Sequence, residues 1–418
     1  ILFPLLSLSP PVLLRSANMA LTSTRQLLLL LVALAFAFFF LSLMCYPRPF
    51  IAISRGDHLG LRPVNETNIN GDAADCDLAD GEWVRDFDGS GYTNGSCPLM
   101  LEHNCGKYGK DQDYVNWRWK PKQCQLPRFQ GKVFLEMMRG KTMAFVGDSV
   151  SRNQMSSLIC FLSQVEIPLG AKNEDEDTVK TWYFQSYDFT LMQLWTKFLV
   201  EAAEQVINGT GTGFYDLHLD RIDMSWSGKL PLLDYLIISD GHWFFRKLYL
   251  HEYDKLVGCV YCSEDNLTDF GINFAIRKAF RTAFQFINKC EECEGLVTVV
   301  RTFAPAHFEN GTWNDGGDCS RTRPFEEGAI SLTATEYDMR SAQVEELESM
   351  RSAKGGKGFG LLDVTKAMMM RPDGHPSSHR DFMGMEGFND CVHWCLPGPV
   401  DMWNEMLLAV LKKGLIAT

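Results

Sequence analysis

A strand-like run, Thr142–Val146, leads into Gly147-Asp148-Ser149, and the pattern from Ser151 to Leu162 is helical. A serine at such a junction stands beside free backbone N–H groups and the positive end of a helix dipole, where a developing oxyanion is stabilised. Gly147 lets the backbone turn tightly against a substrate. The plainer alternative is a serine that only caps the helix. Far along the chain, Asp390 and His393 are three residues apart, and on a helical turn both side chains point the same way. His393 would take the proton from Ser149 while Asp390 holds the ring. Cys391 and Cys395 bracket His393, and with Trp394 and Pro397 they restrict its turn, as a catalytic base needs. These residues lead us to expect serine-dependent acyl transfer.

The elements that must position them alternate. Tyr235–Ser239 is a continuous apolar run, the signature of a strand buried on both faces. Leu296–Arg301 and Gly360–Val364 read as further strands. Leu194–Val206, Phe274–Lys289, Thr333–Arg351 and Asp401–Lys412 read as helices. This order predicts an α/β fold, with a parallel sheet covered by helices on both faces. Asn173–Asp177 reads as a solvated acidic loop. Residues 76–129 are dense in Cys, Trp, Gly and Pro and too small for a core of their own, so they read as a disulfide-stapled cap on a catalytic domain at 130–418. Residues 46–75 are polar and aperiodic, a stem.

The 418 residues carry a formal charge of −12, and no Lys/Arg-rich run is present, so a nucleic-acid partner is not expected. Leu27–Cys45 holds 19 residues without a charge, enough to span about 28 Å. A cleaved signal peptide is the alternative, but its apolar region is commonly about 7–15 residues and ends in small residues. The expected organisation is a cytosolic tail at 1–26 (with 1–18, ahead of the first methionine, read as upstream sequence or a fragment edge), a membrane anchor at 27–45, and everything else beyond the membrane. Five N-glycosylation sequons, at Asn65, Asn94, Asn208, Asn266 and Asn310, all follow the apolar segment. So do 12 of the 13 cysteines, which favours an oxidising lumen.

Cys259-x-x-Cys262 and Cys290-x-x-Cys293 have the spacing of a zinc site, but in that compartment disulfides are favoured. His375 and His379 are four apart, yet Gly374 and Pro376 argue for a loop, so no metal is expected. His242 reads equally as a core histidine. Trp117, Trp119, Trp243 and Trp313 offer faces that could stack on sugar rings, although large aromatics are commonly core.

Several long motifs in order give the chain a family resemblance. Gly81-Glu82-Trp83-Val84, Tyr92–Pro98 and Trp117-Arg118-Trp119-Lys120-Pro121 lie in the cap. Gly147-Asp148-Ser149 with Ser151-Arg152-Asn153, Thr302–Cys319, Arg371–Pro376, and Asp390–His393 with Trp394–Gly398 lie in the body. From about Cys76 onward the chain resembles the plant trichome-birefringence-like polysaccharide O-acetyltransferases, which are similar in fold to SGNH/GDSL esterases. The resemblance implies a three-layer α/β/α sandwich and a catalytic Ser149, Asp390 and His393. It assigns support of the site to Gly147, Asp148, Arg152 and Asn153, and substrate contact to His375, with His307, Trp313 and His242 as weaker candidates. It also implies type II topology in the Golgi membrane. Where many members have Asn-Thr before Gly-His-Trp, this chain has Ser239-Asp240. A role of the family Asn in the oxyanion hole is therefore not carried over, and the third oxyanion donor stays unassigned, with Ser149 and Asn153 as weak candidates. Phe244-Phe245-Arg246 and the Cys259–Cys262 insert look like the branch acting on xyloglucan.

By the same resemblance Cys76 pairs with Cys124, Cys97 with Cys160, Cys105 with Cys395 and Cys319 with Cys391. Cys259, Cys262, Cys290 and Cys293 then pair among themselves. The expected reaction transfers acetyl to a cell-wall polysaccharide through an acetyl-serine. No cofactor is held, and the donor is acetyl-CoA or another acetyl carrier. An acetylesterase with water as acceptor, and a non-catalytic wall-polysaccharide-binding protein, are the rival expectations. Protein partners are not indicated by the sequence.

Overall fold

The computed structural model describes residues 76–99, 102–174, 179–326, 334–352, 358–380 and 388–416. The expected tail, the apolar segment 27–45 and the stem with Asn65 lie outside those residues. Among the described residues no helix is long and apolar enough to cross a membrane.

The elements run β1 (Gly81–Arg85), β2 (Trp117–Pro121), α1 (Gly131–Met137), β3 (Thr142–Gly147) and α2 (Ser149–Ser163). Then come β4 (Leu169–Glu174), β5 (Val179–Phe184), β6 (Phe189–Trp195), β7 (Val200–Ile207) and β8 (Thr210–Ile222). They continue with α3 (Met224–Ser227), β9 (Tyr235–Ser239), β10 (Leu248–Glu252), β11 (Lys255–Val260) and α4 (Gly271–Lys289). The last are β12 (Val297–Arg301), α5 (Ala334–Arg351), β13 (Phe359–Leu362), α6 (Thr365–Met369) and α7 (Asp401–Ile416).

A seven-stranded sheet in the order β13-β12-β9-β3-β6-β5-β4 forms the centre. Strands β13 to β6 are parallel, whereas β5 and β4 add antiparallel. The sheet is therefore mixed, a correction to the all-parallel expectation. Side-chain alternation along β3 feeds two cores. Ala144 and Val146 join one with α4 residues Ala279, Phe280 and Phe284; Met143 and Phe145 join the other with Leu158 of α2 and Leu407 of α7. Helices thus cover both faces, giving three layers.

The segment 194–206 is not the expected helix. Its apolar residues recur at helical spacing, but Leu194 pairs with Val146 of β3, and Leu199 has φ 63, which breaks any helix there. The chain instead leaves β6 and begins β7. A second sheet, β11-β10-β8-β7, follows from that break. The acidic segment 173–177 begins as the end of β4, and 175–178 lie outside the described residues.

The cap is a two-stranded antiparallel pair, β1 with β2, sewn onto the body. Trp83 Nε1 donates to the Ala367 carbonyl at 2.8 Å, and Tyr92 Oη donates to Asp401 at 2.6 Å. Trp119 is 1% exposed, which makes it core and removes it from the sugar-stacking candidates. The four disulfides that the resemblance implied are present, 76–124, 97–160, 105–395 and 319–391, and the other four cysteines pair among themselves as 259–262 and 290–293. Two of them, 97–160 and 105–395, join cap to body. Cys259, Cys262, Cys290 and Cys293 are thereby spent on bonds between neighbours in sequence.

Candidate active site

Strand β3 enters the site between β6 and β9, and Gly147 is in register with Trp195 on one side and Ser239 on the other. Gly147 has φ 139, and a Cβ there would fall 1.6 Å from the Ser239 carbonyl oxygen, so no other residue fits this turn. Asp148 is the N-cap of α2. Its carboxylate accepts from Val150 N at 2.9 Å and from His242 N at 3.1 Å, tying the nucleophile turn to the end of β9. Burial opposes its charge, but His242 and Arg301 beside it bring its pKa below the ordinary value. Ser149 opens the 15-residue α2. Its own N–H lies in the first turn, where intrahelical acceptors are lacking and the dipole is positive.

Ser149 Oγ lies 2.7 Å from His393 Nε2. His393 Nδ1 donates to Asp390, 2.9 Å from Oδ2 and 3.1 Å from Oδ1. These three side chains come from positions 149, 390 and 393 and form one hydrogen-bond chain. Burial favours the neutral ring of His393, but the Asp390 carboxylate outweighs it and raises the pKa above the ordinary value. Burial likewise opposes the charge on Asp390, and His393 overrides it, holding the carboxyl far below its usual range.

Asp390 and His393 do not share a helical turn, contrary to expectation. They sit in a loop in which Asp390 Oδ1 accepts from Val392 N at 3.2 Å and His393 N at 3.0 Å. The carboxylate caps its own loop as well as the imidazole. Cys391 and Cys395 do bracket and fix the loop, each through a distant partner.

This nucleophile–base–carboxylate chain suits acyl transfer, and comparison with known proteins agrees. The GDSL/SGNH-like acyl-esterase family found in Pmr5 and Cas1p matches residues 126–410, and the PMR5 N-terminal domain matches residues 74–125. The chain belongs to that acyl-esterase family. Among its relatives, Xyloglucan O-acetyltransferase 4 of Populus trichocarpa is 55% identical over 341 residues, 81% of each chain. Xyloglucan O-acetyltransferase 2 of Arabidopsis thaliana is 46% identical over 380 residues, 90% of each chain. Protein trichome birefringence-like 20 of Arabidopsis thaliana is 45% identical over 346 residues, 81% of this chain and 72% of that protein.

In this member of the acyl-esterase family the remaining site residues divide sharply. Asn153 is fully buried, and its amide grips the backbone of Trp394: Nδ2 donates to Trp394 O at 3.0 Å and Oδ1 accepts from Trp394 N at 2.7 Å. These two bonds lock the residue after His393. Arg152 pairs with Glu102 of the cap at 3.3 Å. His375 is fully buried and donates from Nδ1 to the His393 carbonyl at 2.7 Å. His307 Nδ1 donates to His375 Nε2 at 2.7 Å, and His307 Nε2 lies 3.0 Å from Met369 O. Burial keeps both rings well on the neutral side, His307 at about 4. His242 Nε2 donates to Ala304 O at 2.9 Å, and burial lowers its pKa to about 4. His307 and His375 thus meet protein atoms at both ring nitrogens, unlike the substrate contact expected for them, while His242 meets one at Nε2. His379 Nδ1 donates to Tyr108 O at 3.0 Å and joins no ligand set with His375. Trp313 is 51% exposed and stays available.

No local pattern singles out His103, yet the cap delivers it to the site. Its ring lies 4.6 Å from that of His393, tilted by 31°, with Nε2 4.0 Å from Asp390 Oδ2. Burial, then the neighbouring His393, lowers its pKa to about 3, so it meets the pair as a neutral ring. His103, Asp390 and His393 offer ligand atoms close enough together for a metal ion, but His393 already uses both ring nitrogens. The only available signal was position, two residues before Cys105, whose disulfide partner Cys395 is two residues after His393. Asp240, beside Ser239 at the end of β9, is buried, and burial and the neighbouring Asp148 carboxylate push its carboxyl well up.

Proposed function

We propose that this protein is a polysaccharide O-acetyltransferase that acetylates xyloglucan through an acetyl-serine. The observation that carries the reading is the unbroken chain from Ser149 Oγ through His393 to Asp390. The names of the relatives support xyloglucan as the acceptor. His393 Nε2 takes the hydroxyl proton as Ser149 Oγ attacks the acetyl carbonyl. The Ser149 N–H stabilises the tetrahedral oxyanion. The intermediate collapses, His393 gives its proton to the departing carrier, and acetyl remains on Ser149. A sugar hydroxyl then loses its proton to His393 and attacks, and collapse returns the proton to Ser149 Oγ. The donor is acetyl-CoA or another acetyl carrier.

Residues 27–45 would serve as a type II anchor, with the catalytic body in the Golgi lumen. Supporting this, Asn208, Asn266 and Asn310 are exposed, and six disulfides suit an oxidising compartment. The test is incubation of the purified protein with an acetyl donor and a panel of wall oligosaccharides, read by mass. Galactose-bearing xyloglucan oligosaccharides should gain acetyl in preference to xylan or mannan. Equal or better transfer to xylan would overturn the acceptor. Release of free acetate with no acetylated sugar would make the protein an esterase.

A further inference from the structure

The parallel strands that flank β3 end in aromatic side chains. Trp195 closes β6 in register with Gly147, two residues from Ser149, and Trp243 follows β9. Their rings stand 6.1 Å apart and perpendicular, bridging the nucleophile edge of the sheet. Arg246 lies 4.7 Å from the Trp243 ring and 5.2 Å from the Trp313 ring, so the guanidinium links the two indoles.

Trp313 stands on a loop built to hold its shape. Glu309 and Asp318 exchange backbone hydrogen bonds at 2.7 and 2.9 Å, and Asp315 N and Gly317 N donate to Thr312 O at 3.3 and 3.0 Å. Gly311 has φ 153, and a Cβ there would fall 2.2 Å from Asp315 O. The same loop is sewn to the base: Cys319 bonds to Cys391, and Asn389 Nδ2 donates to Gly317 O at 3.0 Å. Trp313 is thus fixed to the His393 loop on one side and, through Arg246 and Trp243, to the Ser149 edge on the other. Half of this large apolar ring nonetheless faces solvent.

A rigidly held, exposed indole backed by a cation matches the face of a pyranose ring, whose C–H groups stack on the indole while its hydroxyls accept from the guanidinium. We infer that Trp313 and Arg246 form the subsite that seats a neutral sugar ring of the acceptor beside Ser149. This rests on the transferase reading above and names where that acceptor lies.

The experiment separates binding from transfer. With xyloglucan oligosaccharide as the probe, Trp313→Ala should raise the acceptor KM on the order of tenfold, and Trp313→Phe should raise it less. That rise should exceed any change in acetyl-serine formation with donor alone. Phe87→Ala, which removes another exposed aromatic in the cap, is the control and should leave the acceptor KM alone. The same oligosaccharide, titrated into Ser149→Ala, should change tryptophan fluorescence, and the double variant Ser149→Ala/Trp313→Ala should lose most of that change. Asn310 begins a sequon three residues before Trp313, so each measurement is repeated in Asn310→Gln. Loss of the Trp313 effect in that background would mean that the ring packs on the protein's own glycan, and would overturn the subsite. An unchanged acceptor KM in Trp313→Ala, or a rise in donor KM instead, would also overturn it. Binding through Trp313 without any transfer would contradict the transferase reading and leave the subsite standing.

Discussion

The nucleophile and the base of this active site are held by opposite means. Ser149 stands on regular structure. Its strand is hydrogen-bonded on both sides, its turn is set by a glycine, and its helix is capped by the adjacent Asp148. His393 stands on a loop with no helix or strand of its own. Ties from four distant places hold it: disulfides to Cys105 and Cys319, the Asn153 grip on Trp394, and the His375 bond to its carbonyl. The sheet therefore delivers the nucleophile, while long-range covalent and buried polar bonds deliver the base. Damage to the two halves should look different.

The largest effect is expected from Asp390→Asn, which removes the charge that steadies the imidazolium and caps the loop. Transfer should fall by about 10⁴-fold. The direction with pH is the sharper readout. Transfer needs the neutral ring, so activity rises as pH rises through the His393 pKa, which Asp390 holds above the ordinary value. Removing the carboxylate should move the acidic limb of kcat to lower pH. A limb that stays in place, or moves up, would show that Asp390 does not set the ring's proton affinity.

A smaller effect is expected from Cys105→Ala with Cys395→Ala, which frees the loop from the cap across a separation of 290 residues. Loss of such a bond costs on the order of 2–5 kcal/mol of stability. A displacement of about 1 Å at the base costs roughly 10²-fold in rate. Hydrogen exchange should quicken in residues 388–396 while β3 and the first turns of α2 stay protected. Equal loss of protection in both places would erase the contrast between the two halves.

The same contrast explains what could be read from the sequence. The Ser149 turn was legible because strand, glycine turn and helix are consecutive, so periodicity and turn chemistry suffice. Strand β9 and helix α4 were legible for the same reason. The 194–206 segment misled because its apolar spacing fits a helix, whereas the pairing of Leu194 with β3 and β5, the pairing of β7 with β8 and the positive φ of Leu199 make it strand. The spacing of Asp390 and His393 suggested a helix, but the Asp390 carboxylate satisfies the two backbone N–H groups instead. Asn153 and Trp394 are 241 residues apart, and no local pattern announces their bond. His103 was hidden likewise, since its meaning comes from where the disulfide places the cap.

The most direct test of the central claim is intact-peptide mass measurement after the protein meets acetyl donor without acceptor. One acetyl group should appear on the peptide carrying Ser149, disappear on adding xyloglucan oligosaccharide, and never form in a folded Ser149→Ala protein. Transfer at near-wild-type rate by Ser149→Ala, or an acetyl group that resides on another residue, would contradict it.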